Sequence, residues 1–411
     1  MKTVGIIAEY NPFHNGHLYH LQAAKEKTGA DYVVVVMSGN FLQRGVPALI
    51  DKYARSRMAL LNGADLVIEL PVCYATGSAE YFASGAVALL DKLHVVDYLS
   101  FGCETEDDTL LGRAAAILAD EPEEVSNRIR SALKEGLTYP AARSQALTAC
   151  LDSPELACVL EQPNNILALE YRKALYNRNS SIIPISVKRI SAGYHDRSID
   201  QPICSATAIR ETLHSGGAPD DFRDQVPESV FEILEQEYKT TCPIYEDDFS
   251  SMLKYKLLLR GQPPISEYQD ISSDLSSRIQ KELNHYKSFS SFADHIKTRQ
   301  LTYTRVCRSL LHILLEIRSD DVADWVHNGY IGYAKVLGLR RSARDLLSAI
   351  KERSEIPMVT KLSGAKSQMD EKFYRMLEQD IWASDVYYTA VTDKYGKDFR
   401  GELNREISFE K

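Results

Sequence analysis

Hydrophobic positions in the first half of the chain form short, largely unbroken runs and do not alternate with polar positions. Such runs, each of strand length, cover residues 3–8, 32–37, 65–70, 97–101 and 182–187. Strands buried on both faces of a parallel sheet have this pattern. Segments with helical periodicity follow the first three runs, at 15–27, 51–61 and 79–93. The pattern predicts an α/β fold, a doubly wound parallel sheet with helices on both faces.

The rest of the chain has a helical pattern. Between the fourth and fifth runs, periodicity at 122–135 and 140–151 indicates a helical insertion over about residues 105–180. From Asp220 onward strand patterns fade, and helices are predicted at 222–238, 247–259, 277–286, 304–317 and 342–353. We therefore predict two domains, 1–217 with the sheet and 218–411 mainly α-helical.

Composition narrows the class of protein. Hydrophobic residues make up 44% and charged residues 26% of the 411 residues, which is typical of a folded chain with more than one domain. Because there is no apolar run of membrane-spanning length and no signal-peptide pattern at the start, we expect a cytoplasmic protein without a membrane partner. Seven cysteines without a C-x-x-C pair favour free thiols. The net charge of −9 argues against a protein whose whole surface binds nucleic acid.

Candidate chemistry lies directly after the first strand, in the segment E-Y-N-P-F-H-N-G-H at 9–17. Gly16 leaves room for a ligand near the backbone, and His14 and His17 share one face of the first helical turn. A helix start also has unpaired N–H groups and a partial positive charge. These features indicate a phosphate site in which two imidazoles donate hydrogen bonds as charge builds on phosphorus. Two other interpretations remain: histidines that cap the helix, or a shared metal ion, for which only Glu9 offers an acidic ligand.

This segment resembles the HxGH signature of the nucleotidylyltransferase superfamily, whose members attack the α-phosphate of ATP and release pyrophosphate. A second signature of that superfamily is similar to I-C-S-A-T-A-I-R at 203–210. There Ser205 is expected to cap a helix, Thr207 offers a hydroxyl group, and Arg210 offers a forked cation for the outer phosphates. Which hydroxyl group contacts phosphate is left open, because the sequence lacks the two consecutive serines of that signature.

Further segments resemble one family of this superfamily, the bacterial tRNA(Met) cytidine acetate ligases. They are M-S-G-N-F-L-Q-R-G at 37–45, D-L-V-I-E-L-P at 65–71, F-G-C-E at 101–104, P-N-N-I-L at 163–167, R-I at 189–190 and Y-H-D at 194–196. The resemblance is strongest over residues 1–215. It implies an enzyme that activates acetate with ATP as acetyl-adenylate and acetylates the wobble cytidine of elongator tRNA(Met). ATP would be a substrate, with Mg²⁺ expected on its phosphates.

The resemblance also implies roles for individual residues. The nucleotide loop would comprise Ile7, Ala8, Glu9, Tyr10, Asn11, Pro12, Phe13, His14, Asn15, Gly16, His17, Leu18, Tyr19 and His20. Further nucleotide contacts are expected from Gly102, Asn164, Asn165, Arg189, Ile190, Ser205, Thr207 and Arg210. Catalytic roles are expected for His14, His17, Ser38, Asn40 and Arg44, the last three as contacts to acetate. A turn glycine, a helix cap and a solvated cation remain alternatives for Gly102, for one of the two asparagines and for Arg44.

Two basic stretches in the second half make a tRNA partner plausible despite the acidic balance. Residues 295–318 and 333–353 each have four more Lys and Arg than Asp and Glu, and Tyr303 and Tyr330 add stacking surface. Solvated helix faces would have the same composition. Two alternative functions remain, a small-molecule adenylyltransferase of cofactor synthesis and a non-catalytic RNA-binding protein. The sequence does not specify an oligomeric state.

Overall fold

One eight-stranded sheet forms the centre of the protein. The computed structural model describes residues 1–105, 108–189, 205–259, 264–398, 401–405 and 407–410. The strands are Thr3–Ala8 (β1), Tyr32–Ser38 (β2), Leu66–Leu70 (β3), Tyr98–Cys103 (β4), Ile183–Lys188 (β5), Ala334–Arg340 (β6), Met358–Val359 (β7) and Ser408–Glu410 (β8). Their order is β5-β4-β1-β2-β3-β6-β7, and β8 also pairs with β6. The first five strands are mutually parallel, as the apolar runs predict.

Helices cover the sheet and make up most of the second half. They are Asn15–Thr28 (α1), Lys52–Leu61 (α2), Val72–Ala75 (α3), Ala79–Lys92 (α4), Thr109–Asp120 (α5), Glu123–Lys134 (α6), Tyr139–Leu151 (α7), Glu155–Val159 (α8), Pro163–Asn177 (α9), Ala206–His214 (α10), Glu228–Glu237 (α11), Ser250–Leu258 (α12), Ser273–Glu282 (α13), Phe289–Ile296 (α14), Tyr303–Leu315 (α15), Ser319–His327 (α16), Arg344–Arg353 (α17) and Glu371–Tyr395 (α18). Five of them, α5–α9, lie between β4 and β5. Among the described residues, no helix has the length and apolar character needed to cross a bilayer.

Strand β6 is the main difference from the sequence prediction, which expected no strand after Asp220. It pairs antiparallel with β3, with Lys335 opposite Glu69, and β7 and β8 extend the sheet from it. The pattern fails here because Lys335 and Gly338 interrupt the apolar run of this strand. The second half therefore completes the sheet of the first half, and the division at residue 217 stays a prediction.

Four buried charges, here called the ion-pair cluster, join the two halves. Lys52 Nζ lies 2.8 Å from Glu69 Oε1 and 2.6 Å from Glu402 Oε1. Lys335 Nζ contacts the same two carboxylates and lies 2.8 Å from Glu69 Oε2. No side chain of the four is more than 5% exposed. Buried charge is tolerated when it is paired and hydrogen-bonded, and here two cations face two anions.

Arg55 of α2 holds the carboxyl ends of β1 and β2. Its fully buried guanidinium donates hydrogen bonds to the carbonyl oxygens of Glu9 at 2.6 Å, Ser38 at 3.1 Å, Ile50 at 3.0 Å and Gly39. A planar fork with five N–H donors suits several carbonyl groups at once. Arg55 therefore fixes the edge of the sheet at which doubly wound proteins bind their ligands.

Helix α15 packs directly on the loop that follows β2. Gly45 in this loop has a φ of 74°, and a Cβ there would lie 2.3 Å from the backbone nitrogen of Arg308. Glycine alone permits both this conformation and this approach. At the other end of the loop, the Tyr387 hydroxyl group donates to the Ala48 carbonyl oxygen at 2.9 Å. The second half thus contacts the ligand-binding edge of the sheet.

Candidate active site

The connection between β1 and α1 brings two histidine rings together. His14 is the N-cap of α1, with extended backbone (φ −144°), and its Nδ1 accepts a hydrogen bond from the Gly16 N–H at 3.0 Å. His17 Nδ1 accepts in turn from the His14 N–H at 3.2 Å. The ring centroids lie 3.8 Å apart. Each ring therefore satisfies a backbone donor that a helix start leaves unpaired.

Both rings are neutral, and their hydrogen bonds determine which nitrogen carries the proton. Burial, and then the charge of Arg189, lower the pKa of His14 to about 3. Burial and the adjacent His14 hold the pKa of His17 well below its usual range. A neutral imidazole has one N–H, and because Nδ1 of each ring is an acceptor, the proton lies on Nε2. Capping and phosphate binding are therefore compatible, since they use different nitrogens of each ring.

Packing fixes the orientation of these rings before a ligand binds. The Tyr10 and Phe13 ring centroids lie 4.9 and 5.6 Å from the centroid of His17. Asn11 Oδ1 accepts a hydrogen bond from the Leu49 N–H at 2.7 Å, which ties this loop to the loop after β2. Preoriented donors reorganise little during a reaction, and this favours electrostatic stabilisation of a transition state.

A third histidine and an arginine extend the site toward β4. His20 Nε2 lies 3.0 Å from Ser100 Oγ, and burial, then Arg189, lower the pKa of His20 to about 4. Arg189 packs over Gly102, where a Cβ would lie 3.3 Å from Arg189 Cγ. Gly102 therefore leaves room for a cation next to the imidazoles. The predicted contact Ile190 lies outside the described residues.

Asn164 and Asn165 open α9, as predicted, but their environments differ. Asn165 is 1% exposed, its Oδ1 accepts from the Glu104 N–H at 3.0 Å and the Cys103 thiol at 2.9 Å, and its amide donates to a backbone carbonyl. Asn165 thus holds the end of β4, and it does not line the cavity described below. Asn164 does line the cavity, where its amide donates to Glu104 Oε1 and its oxygen lies 3.4 Å from a guanidinium nitrogen of Arg189. Of the pair, Asn164 remains the candidate nucleotide contact.

The second signature positions an arginine beside the histidine loop. Ser205 caps α10 as predicted, by accepting from a backbone N–H at 3.2 Å. Arg210 donates to the Asn11 carbonyl oxygen at 2.8 Å and to Thr207 Oγ1 at 3.0 Å. Burial, and then Arg44, lower the pKa of Arg210 to about 10, so it remains a cation at neutral pH. Arg210 lines the cavity, whereas Ser205 and Thr207 lie behind it and support the helix and the arginine.

The three residues predicted to contact acetate, Ser38, Asn40 and Arg44, do not lie in one place. Ser38 is fully buried and Asn40 is 3% exposed, because the loop after β2 folds back over them. The Ser38 carbonyl oxygen accepts from Arg55, and Asn40 Oδ1 accepts from the Lys52 N–H at 2.8 Å. Arg44 lines the cavity, whereas Ser38 and Asn40 are absent from its lining, so direct contacts from them to acetate are not supported.

These elements enclose a cavity of about 780 Å³ at the carboxyl edge of the sheet. Most of the predicted nucleotide loop lines it, but four members lie outside the lining, namely Pro12, Phe13, Asn15 and Leu18. Phe13 and Leu18 pack in the core, and Asn15 donates to the Asp224 carbonyl oxygen at 2.8 Å. Residues that sequence reasoning missed also line it, among them Gln43, Arg143, Glu170, Tyr171, Lys188, Asp270 and Gln300. Arg305 and Arg308 line it too, and only the basic stretch 295–318 indicated them.

Cations outnumber carboxylates in this lining. The cations are Arg44, Arg143, Lys188, Arg189, Arg210, Arg305 and Arg308, and the carboxylates are Glu9, Glu80, Glu170 and Asp270. Three carboxylates are already paired, Glu80 with Lys173, Glu170 with Arg143 and Asp270 with Arg308. The described lining therefore has three more cations than carboxylates, in a chain of net charge −9, and this arrangement suits polyanions.

Comparisons with known proteins agree with this geometry. The family described as HIGH Nucleotidyl Transferase matches residues 1–401. The tRNA(Met) cytidine acetate ligase of Acetivibrio thermocellus is 41% identical over 392 residues, which cover 94% of each chain. That of Halothermothrix orenii is 39% identical over 406 residues, which cover 96% of each chain.

Solved structures show the same similarity in three dimensions. The crystal structure of Thermotoga maritima TmcAL in its apo form I has a TM-score of 0.94 and 33% identity, with both chains covered completely. The same protein bound with alpha-thio ATP has a TM-score of 0.92 and 32% identity, again with complete coverage. Fold, site and sequence thus place this chain in the tRNA(Met) cytidine acetate ligase family of HIGH nucleotidyl transferases.

Proposed function

We propose that this protein activates acetate with ATP, forming acetyl-adenylate and pyrophosphate, and then transfers the acetyl group to the wobble cytidine of elongator tRNA(Met). The observation that carries the proposal is the pair of preoriented Nε2–H donors of His14 and His17 in a cavity with excess positive charge. The names of the relatives and the alpha-thio ATP bound by the Thermotoga maritima protein support the same activity.

In the first step, an acetate oxygen attacks the α-phosphorus of ATP. The bond from this phosphorus to the bridging oxygen breaks, and pyrophosphate leaves with the electron pair. Negative charge on the oxygens of the pentavalent phosphorus would be stabilised by the His14 and His17 Nε2–H groups, while Arg210 would hold the outer phosphates. Acetate is already ionised near neutral pH, so no general base is needed. Neutral histidines that donate fit this requirement.

Mg²⁺ would accompany the triphosphate. In nucleotide enzymes this ion is held largely by phosphate oxygens and water, with few protein ligands. The donor set here fits that mode, since three of the four carboxylates that line the described part of the cavity are paired with cations. The ion would neutralise part of the triphosphate charge, and the arginines would neutralise the rest.

The tRNA would enter along the wall formed by α15 and the residues before it. Thr302 caps this helix, and Arg305 and Arg308 follow in its first two turns. Arg308 is paired with Asp270 at 3.0 Å, whereas Arg305 forms no ion pair with the described residues. Because Gly45 sets the backbone of α15 against the loop after β2, a phosphate held by Arg305 would share one cavity with the adenylate.

Exchange of labelled pyrophosphate into ATP tests the first step. The wild-type protein should catalyse exchange that depends on acetate, and His17→Ala should lower it about 10²–10³-fold, because one transition-state donor is lost. His94→Ala is a matched control, since His94 is an exposed surface residue next to Glu355, and it should leave exchange unchanged. Exchange driven only by a phosphorylated small molecule would show an ordinary adenylyltransferase instead.

Mass spectrometry tests the second step. After incubation with ATP and labelled acetate, elongator tRNA(Met) should carry the label on the wobble cytidine. His17→Ala should abolish this label while binding of tRNA is retained. Acetate-dependent exchange without labelled tRNA would contradict the transfer step.

A further inference from the structure

Glu9 differs from the other carboxylates of the cavity. It follows β1 directly, and its Oε1 accepts a hydrogen bond from the Gln43 N–H at 2.9 Å. Among the described residues, none donates a hydrogen bond to Glu9 Oε2, and none forms an ion pair with Glu9. Glu80, Glu170 and Asp270 each contact a cation within the protein. Within the described lining, Glu9 is thus the carboxylate that a hydrogen bond to Oε1 holds in place while Oε2 can still accept a proton.

Glu9 lies between the phosphate site at the start of α1 and the wall formed by α15, along which the tRNA would enter. On one side, Glu9 leads into the loop that ends at His14 and His17. On the other side, the bond to Gln43 fixes it to the loop after β2, whose Gly45 packs on the backbone of α15. An acetyl group on an α-phosphate held by the histidines would therefore meet an incoming cytidine near this carboxylate.

The transfer step, unlike the first step, must remove a proton. The lone pair of the cytidine amine is conjugated with the ring, so this nitrogen becomes acidic as it bonds to a carbonyl carbon. A general base within hydrogen-bond reach typically contributes 10²–10⁴-fold to such a step. His14 and His17 cannot serve, because Nδ1 of each ring accepts a backbone N–H and Nε2 already carries the proton.

Building on the proposed function, we propose that Glu9 is the general base of acetyl transfer. The amine nitrogen forms a bond to the acetyl carbon, and the bond from that carbon to the adenylate oxygen breaks. AMP leaves with the electron pair and needs no proton, because its phosphate is a stable anion. The proton of the amine moves to Glu9 Oε2 and later to water. This assignment makes Glu9 a catalytic residue of the second step alone.

Three substitutions separate this role from the structural role of the Gln43 bond. Glu9→Gln keeps an oxygen for the Gln43 N–H but removes the base, whereas Glu9→Asp keeps the base and shortens the side chain. Glu355→Gln, a surface carboxylate far from this loop in sequence, is the control for loss of one negative charge. Each variant is measured in acetate-dependent pyrophosphate exchange and in single-turnover transfer from preformed acetyl-adenylate to tRNA across a pH series.

We expect Glu9→Gln to retain exchange within about threefold and to lose transfer by about 10²–10⁴-fold, with a transfer rate that no longer falls at acid pH. Glu9→Asp should transfer faster than Glu9→Gln. The assignment is overturned if exchange and transfer fall together, as loss of a Mg²⁺ ligand would cause. It is also overturned if Glu9→Asp is the weaker variant or if transfer is unchanged. Absence of acetate-dependent exchange in the wild type would instead refute the proposed function itself.

Discussion

Two groups of charged residues lie at the same end of the sheet, and they differ in the balance of positive and negative charge. In the ion-pair cluster of Lys52, Glu69, Lys335 and Glu402, two cations face two anions and solvent is excluded. In the cavity, seven cations and four carboxylates of the part of the chain that the structure describes share a space of about 780 Å³. The cluster has a counterion within the protein for each of its charges, whereas the described lining of the cavity keeps three more cations than carboxylates until an anion binds. Loss of a charge should therefore reduce stability in the first region and ligand binding in the second.

The largest effect on stability is expected when one cation of the cluster is removed. Lys335→Met leaves two buried carboxylates with one lysine, and an uncompensated buried charge typically costs about 3–5 kcal/mol. Urea unfolding should show this loss in the free energy of unfolding. The double variant Lys335→Met/Glu402→Gln restores neutrality and should lose clearly less. An equal loss in both variants would contradict the comparison, since the energy would then come from packing.

Between about pH 5 and 7, the histidines of the cavity and Asp380, which lies beside the ion-pair cluster, should contribute opposite signs to the pH dependence of stability. The pKa values of His14, His17 and His20 lie below those of an unfolded chain, mainly because of burial. The folded state then binds fewer protons, so this contribution is complete above about pH 6.5 and falls with acid, by up to about 1.4 kcal/mol per pH unit for each ring. Urea unfolding between pH 7.5 and 5 measures it, and His14→Asn/His17→Gln should have a shallower slope.

Asp380, which contacts Tyr333 at 2.5 Å beside the ion-pair cluster, supplies the opposing slope. Burial, and then the charge of Glu69, raise the pKa of Asp380 to about 7. The folded state therefore holds an extra proton between about pH 4 and 7, and this contribution is lost as the pH rises through that window. Asp380→Asn should steepen the loss of stability in acid. A shallower slope in this variant would contradict the assigned signs.

The smallest effect is expected at the rim of the cavity. Arg305→Ala removes one phosphate contact, so the KM for tRNA should rise about threefold to tenfold and the salt dependence of tRNA binding should decrease by about one ion. Arg305→Lys should retain most of the affinity. Pyrophosphate exchange should not change, because the proposed docking places Arg305 against the RNA and not against the adenylate. Arg128→Ala, at an exposed residue paired with Glu124 on α6, is the control.

Sequence reasoning succeeded where the physical signal is local. The buried parallel strands are continuous apolar runs, and a polar segment between strand and helix indicates the ligand edge. The prediction of β1–β5 is therefore confirmed to within about two residues. The caps at His14 and Ser205 are likewise set by short-range hydrogen bonds. Such features depend on neighbours that are few residues away.

Sequence reasoning failed where a residue depends on a remote partner. Lys335 can be buried in β6 because Glu402, 67 residues later, pairs with it. Ser38 is a hydroxyl residue at the end of a strand, where a contact to acetate is predicted, yet the fold of the following loop buries it. Arg143 and Glu170 reach the cavity from two helices of the insertion, and no local pattern marks either of them. Only the tertiary structure decides these cases.

The antiparallel strand β6 has a consequence for biosynthesis. About 260 residues separate β3 from its neighbour β6 in the sequence. At ~5–20 residues per second, the ribosome needs on the order of tens of seconds to synthesise them. Throughout that delay the edge of β3 has no partner, and the carboxylate of Glu69 has Lys52 as its sole prospective counterion. Unpaired edges invite association between nascent chains. A chaperone that shields this edge during synthesis should therefore raise the yield of native protein more than stabilisation of the finished fold.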